Sequence, residues 1–90
     1  MRELFLKSLR LTDGAGASRV YDYSITIDEM DVGGYACESY GIRVASHDGT
    51  EAEAVHNVTC SIARIDELCE LVLSHGVTPL TLRDVISDWL

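Results

Sequence analysis

The hydrophobic pattern of this chain changes its period once, near Ser61, and this change limits the fold more than any other feature. In VYDYSITI, residues 20–27, β-forming side chains alternate with polar ones, which predicts a strand with one buried face. After Ser61 the apolar residues recur every three or four positions, as on one face of an amphipathic helix. The sequence therefore predicts strands first and helices last.

Three more segments have strand character. Residues 3–11, ELFLKSLRL, are extended in composition, but their leucines change parity near Lys7, which predicts a β-bulge there. In ESYGIRVAS, residues 38–46, apolar side chains alternate, and Gly41 leaves room for a neighbouring backbone or a bulky cross-strand side chain. Residues 54–58 predict a weaker strand.

The connections between these strands differ in character. TDGAGAS, residues 12–18, contains two glycines and a capping Asp13, and it predicts a hairpin loop. HDGT, residues 47–50, contains an Asp-Gly turn. DEMDVGG, residues 28–34, is acidic, and we interpret it as a looser connection.

Two helices follow the strands. The first ends at His75-Gly76, a C-terminal stop signal. For the second, Thr78 is the expected N-cap and Pro79 the first helical residue. Its apolar stripe consists of Leu82, Val85, Ile86, Trp89 and Leu90. We expect this stripe, including Trp89, to close a core against the sheet.

Together these elements predict an α+β fold: an antiparallel three- to four-stranded meander followed by two C-terminal helices packed on one sheet face. Ninety residues with 47% hydrophobic content predict a single domain, residues 1–90. No apolar run approaches the roughly 18 residues of a membrane span, and no signal peptide is evident. With three scattered cysteines, these features favour a cytoplasmic protein without membrane contact or a structural disulfide.

The net charge of −8 is unevenly distributed. Residues 1–19 contain four basic and two acidic side chains, whereas residues 20–90 contain three basic and thirteen acidic ones. Because nucleic-acid binding depends on a basic face, direct binding to DNA or RNA is disfavoured. An acidic surface attracts basic proteins, although acids also simply keep a protein in solution.

No recognised catalytic or ligand-binding motif is present: the sequence contains neither a phosphate-binding loop nor a nucleophile elbow nor a zinc-protease signature. Cys60, Cys69 and His75 are nine and six residues apart, unlike the closely spaced ligand pairs of zinc sites. His56 with Cys37 or Cys60 is a weak candidate nucleophile pair. We therefore expect no enzymatic activity, no cofactor and no metal.

Three short segments resemble a known family. YGI at 40–42, AVHNVT at 54–59 and PLTLRDVISDWL at 79–90 are similar to segments of small uncharacterised proteins of clostridial and related Firmicutes bacteria, a domain of unknown function. Its C-terminal pattern is Pro-x-x-Leu-x-Asp-Val/Ile-Ile-x-Asp-aromatic-Leu. The resemblance covers residues 38–90 and implies a cytosolic origin in Firmicutes and a compact fold, but no activity.

Two groups of residues are candidates for partner binding. The resemblance implies that the family's terminal acids are Asp84 and Asp88, on an exposed flank of the last helix. The acidic segment that follows the strand predicted at residues 20–27 supplies the second group, and it lacks the residue order of a calcium loop. The candidates are Asp28, Glu29, Asp31, Asp84, Asp88 and Trp89.

The leading hypothesis is a small acidic cytoplasmic protein-interaction or regulatory module without catalytic activity, bound to an unidentified protein partner. The alternative is a phage-derived inhibitor, of anti-restriction or anti-CRISPR type, that mimics nucleic-acid charge.

A homodimer, through a sheet edge or the face bearing Tyr21 and Tyr40, is one hypothesis, because two short helices cover only one side of a small sheet. The alternative is a monomer whose sheet edges are protected by Glu and Arg side chains. If the tyrosine and isoleucine rows meet the helices, the opposite face, with residues such as Ser24 and Thr26, is mostly polar and is expected to meet water.

Overall fold

The chain forms a four-stranded antiparallel sheet followed by two helices that pack on it, as the sequence predicts. The computed structural model describes residues 2–12 and 14–90, so Asp13 in the first loop lies outside the described residues. Each strand pairs with its sequence neighbour, in the order β1-β2-β3-β4. The elements are β1 Arg2–Thr12, β2 Ser18–Val32, β3 Tyr35–Ser46, β4 Ala52–Thr59, α1 Ile62–Ser74 and α2 Leu82–Trp89.

The first hairpin contains the predicted bulge, slightly earlier than expected. The pairing of β1 with β2 shifts between Phe5 and Lys7, so Leu6 has no partner in the ladder. As a result, Leu4 and Leu9 lie on the same face, opposite Ile25 and Tyr21 of β2, despite their different parity.

The prediction of a loose connection at residues 28–34 is wrong. Strand β2 continues to Val32 and pairs with β3 up to Tyr35, leaving a two-residue turn at Gly33 and Gly34. Both glycines have positive φ, 60° and 86°, as a tight hairpin turn requires. The ladder hydrogen bonds of this pairing hold the acidic segment as a strand.

The core lies between one face of the sheet and the two helices. Its fully buried side chains come from β2, β3, α1 and α2 and include Tyr23, Ile42, Val44, Leu68 and Leu82. The predicted C-terminal stop of α1 is confirmed. Gly76 has φ 58°, and the Val77 amide donates to the Val72 carbonyl at 3.2 Å, which closes the helix end.

Helix α2 begins later than predicted, at Leu82 with Thr81 as the N-cap. The Thr81 amide donates to the Thr78 carbonyl at 3.2 Å, so Pro79 lies in a turn that precedes the helix. Proline is common at the second position of such a turn and also in the first turn of a helix. In this chain the turn forms.

Part of the second sheet face is buried, contrary to the expectation that it meets water. The register of β3 with β4 shifts at Gly41, so that residues 56–58 lie opposite that one glycine. The β4 backbone lies so close that a Cβ at Gly41 would be 2.2 Å from the Val55 carbonyl oxygen. This confirms the space predicted at Gly41. Thr26, its partner in β2, is fully buried, and Ser24 is buried as well.

Within residues 2–12 and 14–90, neither helix combines the length and the apolar character that crossing a membrane demands.

Candidate functional site

The β2–β3 hairpin extends past both neighbouring strands. Among the described residues, the pairing of β1 with β2 ends at Ile27, and that of β4 with β3 ends at Tyr40. The pairing of β2 with β3 continues to Val32 and Tyr35. The projecting two-stranded segment, residues 28–39, is called the arm below. It contributes to an elongated molecule with a long axis of 52 Å.

The arm is acidic throughout. It contains four carboxylates and no basic side chain. Two of the four have a neighbouring partner: Asp28 Oδ2 lies 3.3 Å from His56 Nδ1, and Glu38 pairs with Arg2. Glu29 and Asp31 are exposed and form no ion pair with any residue that the structure describes. The arm therefore carries two exposed carboxylates that have no ion-pair partner among the described residues.

Apolar side chains accompany these charges. Tyr35, next to the turn, is 80% exposed, and Met30 is 38% exposed. Aromatic residues and methionine are enriched at protein interfaces relative to the rest of the surface. The sequence contains a signal for this arrangement, because Glu29, Met30 and Asp31 continue the period-2 alternation, with the apolar side now on the opposite face.

The second predicted group lies on α2. Asp84 and Asp88 are exposed, and Trp89 is half-buried against the core. The Arg64 guanidinium lies over the Trp89 ring, 4.1 Å from its centroid, a cation–π contact. Trp89 thus helps to close the core, as predicted, and Arg64 covers part of the remaining ring surface.

At the base of the arm, two thiols lie close together. Cys37 Sγ is 4.0 Å from Cys60 Sγ, beside a cleft of about 320 Å³. The cleft is lined by Glu29, Ala36, Cys37, Glu38, Tyr40, Cys60 and Ile62. Burial, together with the contact to Cys60, raises the pKa of the Cys37 thiol. Neither the sequence spacing nor any motif indicates this pair.

The other cysteine and histidine combinations considered from the sequence are not assembled. Cys69 is buried in the core, and burial raises the pKa of its thiol to about 11. His56 pairs with Asp28 rather than with a cysteine. Among the described residues, no three histidine, cysteine or acidic side chains are grouped as a metal site would need.

At the opposite end of the sheet, a cleft of about 590 Å³ is lined in part by Arg19, Tyr21 and Glu51, which pair with one another. Arg19 Nη1 donates to Glu51 at 2.9 Å, and the Tyr21 hydroxyl donates to the same carboxylate at 3.3 Å. In the adjacent turn, the Thr50 amide and hydroxyl and the Ser46 hydroxyl donate to Asp48. These hydrogen bonds lower the pKa of Asp48 to about 2.

A comparison with known families matches residues 2–90 to DUF6514, a family of unknown function. No curated protein and no solved structure matches the chain.

Proposed function

This chain belongs to DUF6514, and because the function of that family is unknown we propose one from the geometry: a small acidic protein-interaction or regulatory module that binds its partner through the arm. The observation that carries the proposal is the projection of residues 28–39 beyond both neighbouring strands. A partner reaches both faces of such a ribbon, as well as its strand edges.

The arm offers two kinds of contact. A strand edge without a neighbour pairs with an extended segment of another protein through backbone hydrogen bonds. The carboxylates of Glu29 and Asp31 favour a segment with lysine or arginine side chains and speed its association. Met30 and Tyr35 supply apolar area that the partner can bury. The partner we propose is therefore a protein with a basic extended segment.

The arm is a better candidate than the α2 surface. The Trp89 ring is half-buried and already stacked by Arg64, so a partner gains less area from that ring than from the exposed Tyr35 ring of the arm. Arg83 at the start of α2 pairs with Glu53 of β4 at 3.2 Å, which also offsets some of the local negative charge. On the arm, Tyr35 is nearly fully exposed.

The proposal includes a cytoplasmic location in a Firmicutes bacterium. The cysteines support the cytoplasmic location, because three scattered cysteines do not form the disulfide framework of a small secreted domain.

A capture experiment with three baits tests the proposal. The wild-type chain, the arm variant Glu29→Gln/Asp31→Asn and the matched control Asp84→Asn/Asp88→Asn are immobilised and exposed to extract from the source bacterium. Each variant removes two exposed carboxylates, so the two variants have the same net charge and differ only in where the charges are lost. We expect a protein captured by the wild type and the control, with recovery by the arm variant reduced roughly tenfold, about 1.4 kcal/mol.

Two outcomes contradict the arm proposal: equal recovery by all three baits, or loss of the partner only with the α2 variant. The same experiment tests the inhibitor alternative. If the captured protein binds nucleic acid, and a DNA duplex displaces it from the wild-type bait, the chain acts as a nucleic-acid mimic. The inhibitor alternative is then the better account of its function.

A further inference from the structure

We propose that Cys37 and Cys60 are an oxidisable pair that forms a reversible intramolecular disulfide. Their Sγ atoms are 4.0 Å apart, and a disulfide requires a separation of about 2.0 Å. The proposal requires rotation of the two side chains about χ1 to supply this approach. The proposal concerns the thiols themselves and does not depend on the proposed function of the arm.

The fold, rather than the sequence spacing, creates this pair. Cys37 lies in β3, opposite Met30 of β2, and Cys60 follows the last residue of β4. The extra β4 residues opposite Gly41 set where β4 ends and therefore where Cys60 lies. Cys60 is exposed and Cys37 is half-buried, so the pair is open to a small reagent.

The oxidant we name is a low-molecular-weight disulfide. The Cys60 thiolate attacks one of its sulfur atoms, which breaks that disulfide, forms a mixed disulfide and releases one small thiolate. Cys37 then loses its proton, and its thiolate attacks Cys60 Sγ and releases the second small thiolate. Two electrons pass from the cysteines to the reagent. The raised pKa of the Cys37 thiol assigns the first attack to the more exposed Cys60.

The bond would fasten the base of the arm to the start of α1, because Ser61, next to Cys60, is the N-cap of that helix. It would close a loop between positions 37 and 60 and restrict the unfolded chain. The expected result is a rise in Tm on the order of 10 °C, fully reversed by an added thiol.

Alkylation and mass spectrometry test the pair directly. The purified chain is treated with oxidised glutathione at pH 8, unfolded, and labelled with iodoacetamide. We expect the oxidised chain to take one label, on Cys69, whereas the reduced chain takes three. Before labelling, the intact mass of the oxidised chain should be two hydrogens lower than that of the reduced chain. Dithiothreitol restores three labels. Cys69→Ala should still form the bond, and Cys37→Ser and Cys60→Ser should not show the rise in Tm.

Three labels after oxidation, or glutathione retained on Cys60 without closure of the ring, would overturn the proposal. So would a disulfide between chains, identified on a non-reducing gel, in place of the intramolecular one.

The outer edge of β1 carries a second, independent inference: we infer that two copies of the chain pair there, antiparallel, across a two-fold axis. In the sheet order, β1 is an edge strand, and its Leu4 and Phe5 are 54% and 60% exposed. The face bearing Tyr21 and Tyr40 is excluded as the dimer interface, because the helices cover it and Tyr21 is buried.

The bulge at Leu6 makes the edge self-complementary. Arg2, Leu4, Lys7, Leu9 and Leu11 lie on the helix face, and Glu3, Phe5, Ser8, Arg10 and Thr12 lie on the other. If Leu4 pairs with Leu9 of the second copy, Glu3 pairs with Arg10, and each pair joins residues of the same face. A shift of one residue would set opposite faces against each other. Symmetry then produces two Glu3–Arg10 contacts per dimer, in addition to the pair that Glu3 forms with Arg43 of its own chain at 3.7 Å.

Light scattering with charge-reversal variants tests this register. We expect the wild type to approach twice the 9.9 kDa chain mass at high micromolar concentration. Glu3→Arg or Arg10→Glu alone should weaken association roughly tenfold, and the two changes together should restore it. A monomer at every concentration would overturn the inference. A dimer indifferent to these charges would overturn the register.

Discussion

Replacing Gly41 with alanine tests the packing that places β4 and everything after it. The added Cβ would lie 2.2 Å from the Val55 carbonyl oxygen, 2.6 Å from Thr26 Oγ1 and 2.8 Å from His56 Cα. Two of these atoms belong to the backbone, so no side-chain rotation relieves the overlap. To regain ordinary contact at 3.4 Å, β4 must move by roughly 1 Å.

We expect Gly41→Ala to lower the free energy of unfolding by about 3 kcal/mol, the upper end of the usual cost of overpacking. That is a large share of the 5–15 kcal/mol that stabilises a typical domain. For a chain of this size, Tm should fall by roughly 12–24 °C, measured by circular dichroism. Gly14→Ala is the matched control, because its Cβ would meet nothing within 4 Å. Gly41→Ala with wild-type Tm would refute the close approach of β4.

Three further predictions follow from single contacts. The Tyr23 hydroxyl donates to the Val77 carbonyl at 2.7 Å in the core, so Tyr23→Phe should cost about 1–3 kcal/mol in urea unfolding; an unchanged midpoint would contradict the contact. The lowered pKa of Asp48, about 2, stabilises the fold above the ordinary carboxyl pKa, about 3.9. The Tm difference between wild type and Asp48→Ala should therefore disappear as the pH falls from about 4 to 2, and a constant difference would contradict it. A double-mutant cycle on Arg64 and Trp89 should give a coupling of about 0.5–1 kcal/mol, and no coupling would argue against the stacking.

The sheet and the helices were predictable because their hydrophobic periods are strong and local. VYDYSITI and the stripe after Ser61 each bury one face, so period alone assigned their type. The start of α2 was not predictable to the residue, since proline suits both a turn and a first helical turn, and only the Thr78–Thr81 hydrogen bond decides between them.

The arm and the thiol pair depend on relations between distant strands. Acids at positions 28, 29 and 31 suggest a loop, but the Gly33-Gly34 turn and the alternation before it fit a hairpin. That the hairpin projects depends on where β1 and β4 stop pairing, which no local pattern encodes. Likewise, Cys37 meets Cys60 only because of the β4 bulge at Gly41.

Hydrogen exchange of the backbone amides, compared between the free chain and the chain bound to its captured partner, tests the central claim most directly. The proposed function predicts that binding slows exchange in the arm, residues 28–39, and leaves α2, Leu82–Trp89, unchanged. Slower exchange confined to α2, with the arm unaffected, would contradict it.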